Sequence, residues 1–518
     1  MWASGSRAIP NVPSFLAKGS ATLHRHVKGP ALASSAGALA WVAFPPSGPL
    51  LGPGLALLAL IPLFLALRGA PPARAFGLGF VCGATMTGLG FAFLGRAASL
   101  HGHVSPLLVG VGFAALTAYH ALFVAIPCAA AALLARRVPV AVGLPVLLTL
   151  AEVVLPAPLP WAFGASLLDA RPLAPAAAVL GGSGLSLVAF LVAGAASEQL
   201  GSRRDAAARA SLLASALVLG CAGAASMTYS SSFSREVAVA PTIRVGALHF
   251  PASEAGTTRR PTALAARAAE LGARGAELVV GPETALPGAW PESSLADGAG
   301  WAFDAPGAVL LAGAVVRGDE RLTNSAIVVD RGGAVVGRYD KRFLLPLAEA
   351  WPLPEGLRSL SPRSGAFAPG RRSPTFEVAG AVVGTTICLE DTLRGAWPTE
   401  GTPAAELFVN LTNDSWFAGT SEPFAHLAMA RLRAIEHGRY LVRSTAGGVT
   451  SIVDPLGAVT ARVDPDREGE VLADVPRLGA RTPFARYGHA PLALLCALAV
   501  AVATATDRRL SRGASAPS

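Results

Sequence analysis

Charge is the first thing this sequence lacks: only 14% of its 518 residues are Asp, Glu, Lys or Arg, against about a quarter in a globular chain. Together with a mean hydropathy of +0.50, this excludes a protein that is soluble throughout. Thiols are equally scarce. Of the 5 cysteines, Cys82, Cys128, Cys221 and Cys496 lie in strongly apolar segments, and Cys388 stands alone between Val237 and Ala490. A disulfide within that stretch is therefore excluded. No heptad array, internal repeat or long low-complexity run occurs, which removes coiled-coil and solenoid architectures. Residues 1–30 are polar and basic, with no compact apolar core ending at a small-residue site, so no cleavable signal peptide is expected. His249, His426 and His437 lack metal-ligand spacing. Neither a metal nor another cofactor is expected.

What is present divides into two kinds of text. The apolar excess sits in residues 31–228 and 489–506, and the region between reads as a normal α/β domain. A bilayer is crossed by about 20 apolar helical residues. Candidate spans are Ala31–Phe44, Leu50–Leu67, Ala75–Leu94, Pro106–Leu134, Ala141–Leu155, Pro175–Ala195, Ala210–Thr228 and Pro491–Thr506. Loops rich in Lys and Arg stay cytoplasmic. A cytoplasmic N-terminus puts Arg68, Arg74, Arg136, Arg137, Arg203, Arg204, Arg209, Arg508 and Arg509 inside, leaving only Arg96, Arg171 and Arg235 outside. The expected organisation is a cytoplasmic basic N-terminus (1–30), a membrane domain of seven helices (31–230) and an extracytoplasmic domain (237–488). An eighth transmembrane helix (489–506) and a cytoplasmic tail (507–518) follow, disordered after Arg508. The net charge of +9 is explained by anchoring at membrane edges, so no nucleic-acid partner is expected.

Between Thr242 and Val475 short β-branched runs alternate with amphipathic stretches. Strands are expected at Ile243–Leu248, Glu277–Val280, Val309–Val315, Ala326–Val329, Val335–Tyr339, Ala381–Ile387, Leu407–Leu411, Tyr440–Ser444 and Gly448–Val453. Helices are expected at Pro261–Gly275 and at Glu422–Gly438, where Phe424, Leu427, Ala428, Leu432 and Ile435 share one face. Interleaved strands and helices favour an α/β layered domain.

Three residues stand where strands end: Glu283 after LVVGP, Lys341 after VVGRYD and Cys388 after VVGTTI. Each has a purely structural reading, as a turn carboxylate, a solvated charge and a packed thiol. Together they form a chemically coherent set. A carboxylate can take the thiol proton as general base. A lysine beside them stabilises both the thiolate and the oxyanion of a tetrahedral intermediate.

GPETALP, RYDKRFLLPLAE, TTICLEDT and NLTNDSWF resemble the signatures of the nitrilase superfamily, whose domains are αββα sandwiches. MARLRAIEHGRYLVRSTAGG is similar to the segment that closes that domain's active-site region. With the apolar segments around it, and with WAFGASLLDARPLAPAAAVLGGSGLS upstream, the chain resembles the apolipoprotein N-acyltransferases of bacterial inner membranes. The resemblance implies Glu283 as general base, Lys341 as stabiliser of thiolate and oxyanion, and Cys388 as nucleophile. Glu349 would orient the lysine or the base. Glu390 would act near the nucleophile or hold its loop, and the Leu389 N–H would be a second oxyanion donor. The family commonly has an aromatic residue where Leu389 stands, and the first strand departs from its pattern at His249–Gly256.

Asn413, Asp414, Trp416 and Phe417 are candidate acyl-chain contacts, with a loop packed by its own aromatics as the alternative. Arg431, Arg433 and Arg439 are read as ion-pairing with acids such as Glu436, with lipid phosphate as the alternative. The implied partners are a phospholipid acyl donor, a diacylglyceryl apolipoprotein acceptor and membrane lipids, with the chain a monomer. The implied reaction passes an acyl chain through a cysteine thioester on the periplasmic side. The alternatives are a membrane-tethered amidase or nitrilase, and a non-catalytic scaffold. A mobile lid is expected near Ala348–Leu360.

Overall fold

The structure is a computed structural model. It describes the chain apart from residues 1–13, 46–50, 102–104, 201–205, 255–259, 287, 297–307, 320, 347, 352–353, 355, 357–364, 398–403 and 514–518. Much of the expected lid, and Ala255 and Gly256 of the first-strand departure, lie outside the described residues.

The first half is helical: α1 (Ser14–Ala43), α2 (Leu51–Leu58), α3 (Ile61–Leu67), α4 (Pro72–Gly90), α5 (Ala92–His101), α6 (Pro106–Leu134), α7 (Val140–Val154), α8 (Ala177–Gln199) and α9 (Ala206–Val237). Three helices among the described residues are long and apolar enough to cross a membrane, Pro106–Leu134, Ala174–Gln199 and Ala206–Val237. A fourth is counted if α4 and α5, bent by 45° at their junction, make one span. The eight spans expected from hydropathy are thus not all continuous helices of spanning length. The chain turns at Ala59–Leu60, and Pro62, which lacks an N–H, starts α3 afresh. Helix α7 has 15 residues, about 22 Å at 1.5 Å per residue, against roughly 30 Å of hydrocarbon. Small residues draw the bundle together: a Cβ on Gly79 or Gly83 would lie 2.8 Å from the α6 backbone.

The second half is built on one mixed sheet. Its strands are β1 (Thr242–Phe250), β2 (Leu278–Val280), β3 (Ala289–Pro291), β4 (Val309–Arg317), β5 (Leu322–Val329), β6 (Val335–Asp340), β7 (Thr375–Val378), β8 (Ala381–Ile387), β9 (Leu407–Asn413), β10 (Leu441–Ala446), β11 (Thr450–Val453), β12 (Val459–Val463) and β13 (Gly469–Pro476). The main path is β6-β5-β4-β2-β1-β10-β9-β8-β7. Its helices are α10 (Arg260–Ala273), α11 (Glu292–Ala296) and α12 (Glu422–His437), followed by α13 (Pro483–Tyr487) and α14 (Ala490–Gly513). Helix α14 continues through Arg508, where the sequence suggested disorder.

Three apolar clusters define the layers. Leu264, Ala268 and Leu271 of α10 pack on Val279, Leu310 and Ile327. Val245, Val328 and Tyr339 meet Val383, Val409 and Val442 in a central cluster between the two halves of the sheet. On the far side Leu427, Ala430 and Ala434 of α12 cover Phe408 and Leu441. The order helix, strands, strands, helix is the nitrilase-like αββα arrangement. Strand β1 shows how alternation builds it: Ile243, Val245 and Ala247 enter the central cluster, and Leu248 and Phe250 the one under α10.

Helix α12 departs from the one-faced reading. Ala428, Met429, Leu432 and Ile435 join the core of the helical half, while Phe424 and Leu427 face the sheet. It is buried on both sides, as a helix sandwiched between two bodies must be. Helix α8 receives it at a break, where Gly181 has φ +70 and the freed Gly182 N–H donates to Glu436 Oε1 at 2.8 Å.

Candidate active site

Strands β2, β6 and β8 deliver Glu283, Lys341 and Cys388 from their C-terminal ends. Lys341 Nζ lies 2.8 Å from Glu349 Oε2 and 3.4 Å from Glu283 Oε1. Asn324 on β5 joins the two acids, its amide donating to Glu283 Oε1 at 2.7 Å and to Glu349 Oε1 at 2.8 Å. Glu349 also accepts from the Leu345 N–H at 2.8 Å. Sequence reasoning missed Asn324, because nothing in LTNSAIVV distinguishes a site amide from a strand residue.

The backbone around these groups is unusual. Cys388 has φ +52 and Thr284, next to Glu283, has φ +49. Outside glycine such left-handed conformations cost about 1–3 kcal/mol each and cluster at functional sites. The Glu283 turn rests on β4: the Gly313 N–H donates to Pro282 O at 3.0 Å, and a Cβ on Gly313 would meet Glu283 Cα at 2.6 Å. Gly313→Ala is therefore expected to push Glu283 away, costing about 1–3 kcal/mol of stability through overpacking. A lower thermal midpoint together with slowed alkylation of Cys388 by iodoacetamide is the result to look for; unchanged values for both would mean the turn yields freely.

Electrostatics separates the roles. Burial pushes the Glu283 carboxyl above its ordinary range, Lys341 pulls it down, and Glu349 pushes it up again. Burial also opposes the Lys341 charge, but its acidic neighbours, Glu349 foremost, outweigh it and hold that group well above the usual lysine range. Burial and then Glu283 hold the Cys388 thiol well above normal, with Lys341 pulling it down. At rest the site thus holds a thiol and an ammonium.

Other expected residues separate by position. Glu390 is fully buried and holds the loop. It accepts from the Ile387 N–H at 2.8 Å, the Arg342 N–H at 2.8 Å and the Tyr339 hydroxyl at 2.8 Å. Asn413 braces a turn, donating to Thr284 Oγ1 at 3.2 Å and accepting from Ser415 Oγ at 2.6 Å. Asp414 is buried against His426, Trp416 is 42% exposed, and Phe417 lines the cavity described below. Arg433 pairs with Glu436 at 2.8 Å and Arg431 with Asp169 at 2.8 Å. Arg439 donates to backbone carbonyls, including Ala405 O at 2.7 Å. These three arginines point into the protein.

A cavity of about 510 Å³ lies between the two halves and reaches Cys388. Its walls include Trp41, Phe91, Phe123, Trp161 and Phe163 from the helical half, and Leu389, Phe417 and Met429 from the other. The edge-on pair Phe93–Phe417, with centroids 5.4 Å apart, joins the two sides. Most of its wall is apolar, with Cys388 among the lining residues.

Comparison with known proteins gives two family matches. Residues 238–482 match the carbon-nitrogen hydrolase model, and residues 36–195 match the apolipoprotein N-acyltransferase N-terminal domain model. An apolipoprotein N-acyltransferase of Bradyrhizobium diazoefficiens is 30% identical over 84% of this chain and 86% of its own length. One from Bordetella bronchiseptica is 30% identical over 93% of this chain and 97% of its own. Among solved structures, an amidase of the nitrilase superfamily from Nesterenkonia AN1 aligns with 18% identity and a TM-score of 0.36, covering 49% of this chain and 96% of that one.

Proposed function

Because the chain belongs to the apolipoprotein N-acyltransferase family, we propose that it transfers an acyl chain from a phospholipid, through a thioester on Cys388, to the N-terminal amine of a diacylglyceryl-cysteine lipoprotein. The observation that carries this reading is the aromatic-walled cavity running from the membrane helices to Cys388. A water-soluble amide or nitrile needs no such slot.

The chemistry follows from the three side chains. Glu283, ionised, takes the Cys388 proton as the sulfur attacks the ester carbonyl of the phospholipid. The oxyanion that forms faces Lys341 and the Leu389 N–H. Collapse breaks the C–O bond, Glu283 returns the proton to the leaving alkoxide, and a lysophospholipid departs. The neutral amine of the acceptor then attacks the thioester, losing its proton to Glu283, and the C–S bond breaks, the leaving thiolate taking that proton from Glu283 to restore the thiol. Since burial raises the Glu283 pKa, the acid limb of acylation lies above the ordinary carboxylate range.

Both substrates are lipid-anchored, which gives the helical half its purpose. Residues 31–230 form the membrane domain, and 237–488 the catalytic domain on the periplasmic face of a bacterial inner membrane. The orientation follows from the arginine bias. The shorter apolar helices α2, α3, α7 and α14 share the bilayer, since they pack on one another or on α8.

A membrane-tethered hydrolase would use the same groups but pass the acyl chain to water. The test supplies phospholipid and a diacylglyceryl peptide together. N-acyl peptide is the expected product. Free fatty acid in its place would establish the hydrolase, and no turnover of either kind the scaffold.

A further inference from the structure

Beneath the nucleophile turn lies a buried ionic chain. His426 on α12 has Nε2 2.8 Å from Asp391 Oδ1 and Nδ1 3.0 Å from Asp414 Oδ1. Asp391 also accepts from Arg443 Nε at 2.9 Å, both side chains being fully buried. Asp391 belongs to the turn that Cys388 begins, Asp414 follows β9, and Arg443 lies on β10. The four side chains therefore tie the Cys388 turn to the end of β9, to the middle of β10 and to the helix that docks on the helical half. His426 itself lines the cavity that reaches Cys388.

Resting on the reading of Cys388 as nucleophile, we propose that His426 is a positioning residue: its imidazolium staples the nucleophile turn and offsets the acids below the thiol. The geometry requires the cation, because carboxylates only accept hydrogen bonds and both ring nitrogens face one. With Asp391 and Asp414 negative, and His426 and Arg443 positive, the chain is balanced. Burial opposes charge on His426, but Asp391 and Asp414 outweigh it and hold its pKa well above normal, with Arg443 opposing. A third acid, Glu422, has Oε1 3.6 Å from Nδ1. Burial and then Asp414 push its carboxyl well above normal, which favours its neutral form beside the imidazolium.

Two consequences connect the staple to the thiol. Cys388 sits at φ +52, a conformation that persists only where its surroundings enforce it. Asn410 holds its carbonyl at 3.2 Å, and Asp391 anchors the other end of the turn. Asp414 also raises the thiol pKa, after burial and Glu283, so the charge that offsets Asp414 bears on how readily the thiol ionises. The groups acting on Cys388 are Glu283, Lys341, Asp414 and Glu349. Asp414, Glu422 and His426 also have ligand atoms within 4.8 Å of one another, and a metal there would have to displace the imidazolium proton from Nδ1.

The test uses the full-length protein in lipid nanodiscs. Iodoacetamide alkylation of Cys388 is followed across pH by peptide mass spectrometry, beside acyl-enzyme formation from phospholipid. For His426→Gln the alkylation midpoint is expected to rise by about one pH unit. Acylation kcat should fall roughly 10- to 100-fold while KM moves less than about threefold. Adding Asp414→Asn should return at least half of the pH shift, which lost packing would not allow. Asp414→Asn alone is expected to lower the midpoint, and this arm stands even where the histidine variant fails to fold. A midpoint unmoved in His426→Gln, or raised or unmoved in Asp414→Asn, overturns the proposal. Acyl transfer that survives at wild-type level in Cys388→Ala would instead overturn the nucleophile reading on which it rests.

Discussion

Cys388→Ala is expected to abolish acyl-enzyme and N-acylation together, a loss of at least about 10³-fold in acyl transfer. The large effect follows from the resting state. The thiol is held protonated by burial and Glu283, so the reaction depends on handing its proton over at the moment of attack. Without sulfur there is no atom to carry the acyl chain between two lipid-anchored partners. Cys388→Ser sharpens the result: its hydroxyl fits the same turn but gives up its proton far less readily, so a trace of slow ester-linked acyl-enzyme is expected at most. Radiolabelled phospholipid and gel autoradiography read both. Labelled protein at wild-type level in Cys388→Ala would sink the nucleophile assignment.

Lys341→Met is expected to have the second largest effect, on activity and stability at once. Lys341 is 1% exposed and sits against two carboxylates that share the amide of Asn324. Removing the ammonium leaves two buried acids with no cation between them. Breaking a buried ion pair from one side costs roughly 3–5 kcal/mol, unless one acid takes up a proton. A clear fall in thermal midpoint is therefore expected, larger at pH 8 than at pH 5, because the proton that relieves the repulsion is available only at the lower pH. Adding Glu349→Gln should recover stability without recovering acylation, because it removes the surplus charge but does not restore the oxyanion partner. A double variant that regains acylation would show that Lys341 serves only the fold.

Much of the candidate site was legible because its chemistry lies at strand ends. The runs LVV, VVGRYD and AVVGTTI are β-branched and end at residues of another chemical kind. A strand boundary and a site residue can then be read from the same few letters. The supporting groups carry no such mark. Asn324 lies inside a strand, and Asp391 and His426 lie 35 residues apart, so only the folded chain shows that they touch. His426, which in the sequence shows only that it lacks metal-ligand spacing, is a buried histidine tied at both nitrogens. Strands β3, β7, β12 and β13 went unread because they are short or carry charges, as in ARV and GEVLADVP. Pairing with β4, β8, β11 and β1 makes them strands.

The sequence by itself determined the division into an apolar helical part and an α/β domain, the family, and the three groups on which the proposed chemistry rests. All of these are properties of composition, local periodicity and short motifs. Only the tertiary structure decided which helices are long enough to cross a bilayer, since turns and prolines break apolar runs that hydropathy reads as continuous. It alone gave α12 two buried faces and opened an aromatic slot between the halves. It alone turned Asp391, Asp414, His426 and Arg443 into one balanced chain. The reason is physical: burial and charge pairing depend on which distant segments meet, and a periodic pattern records only that a face is covered, not by what.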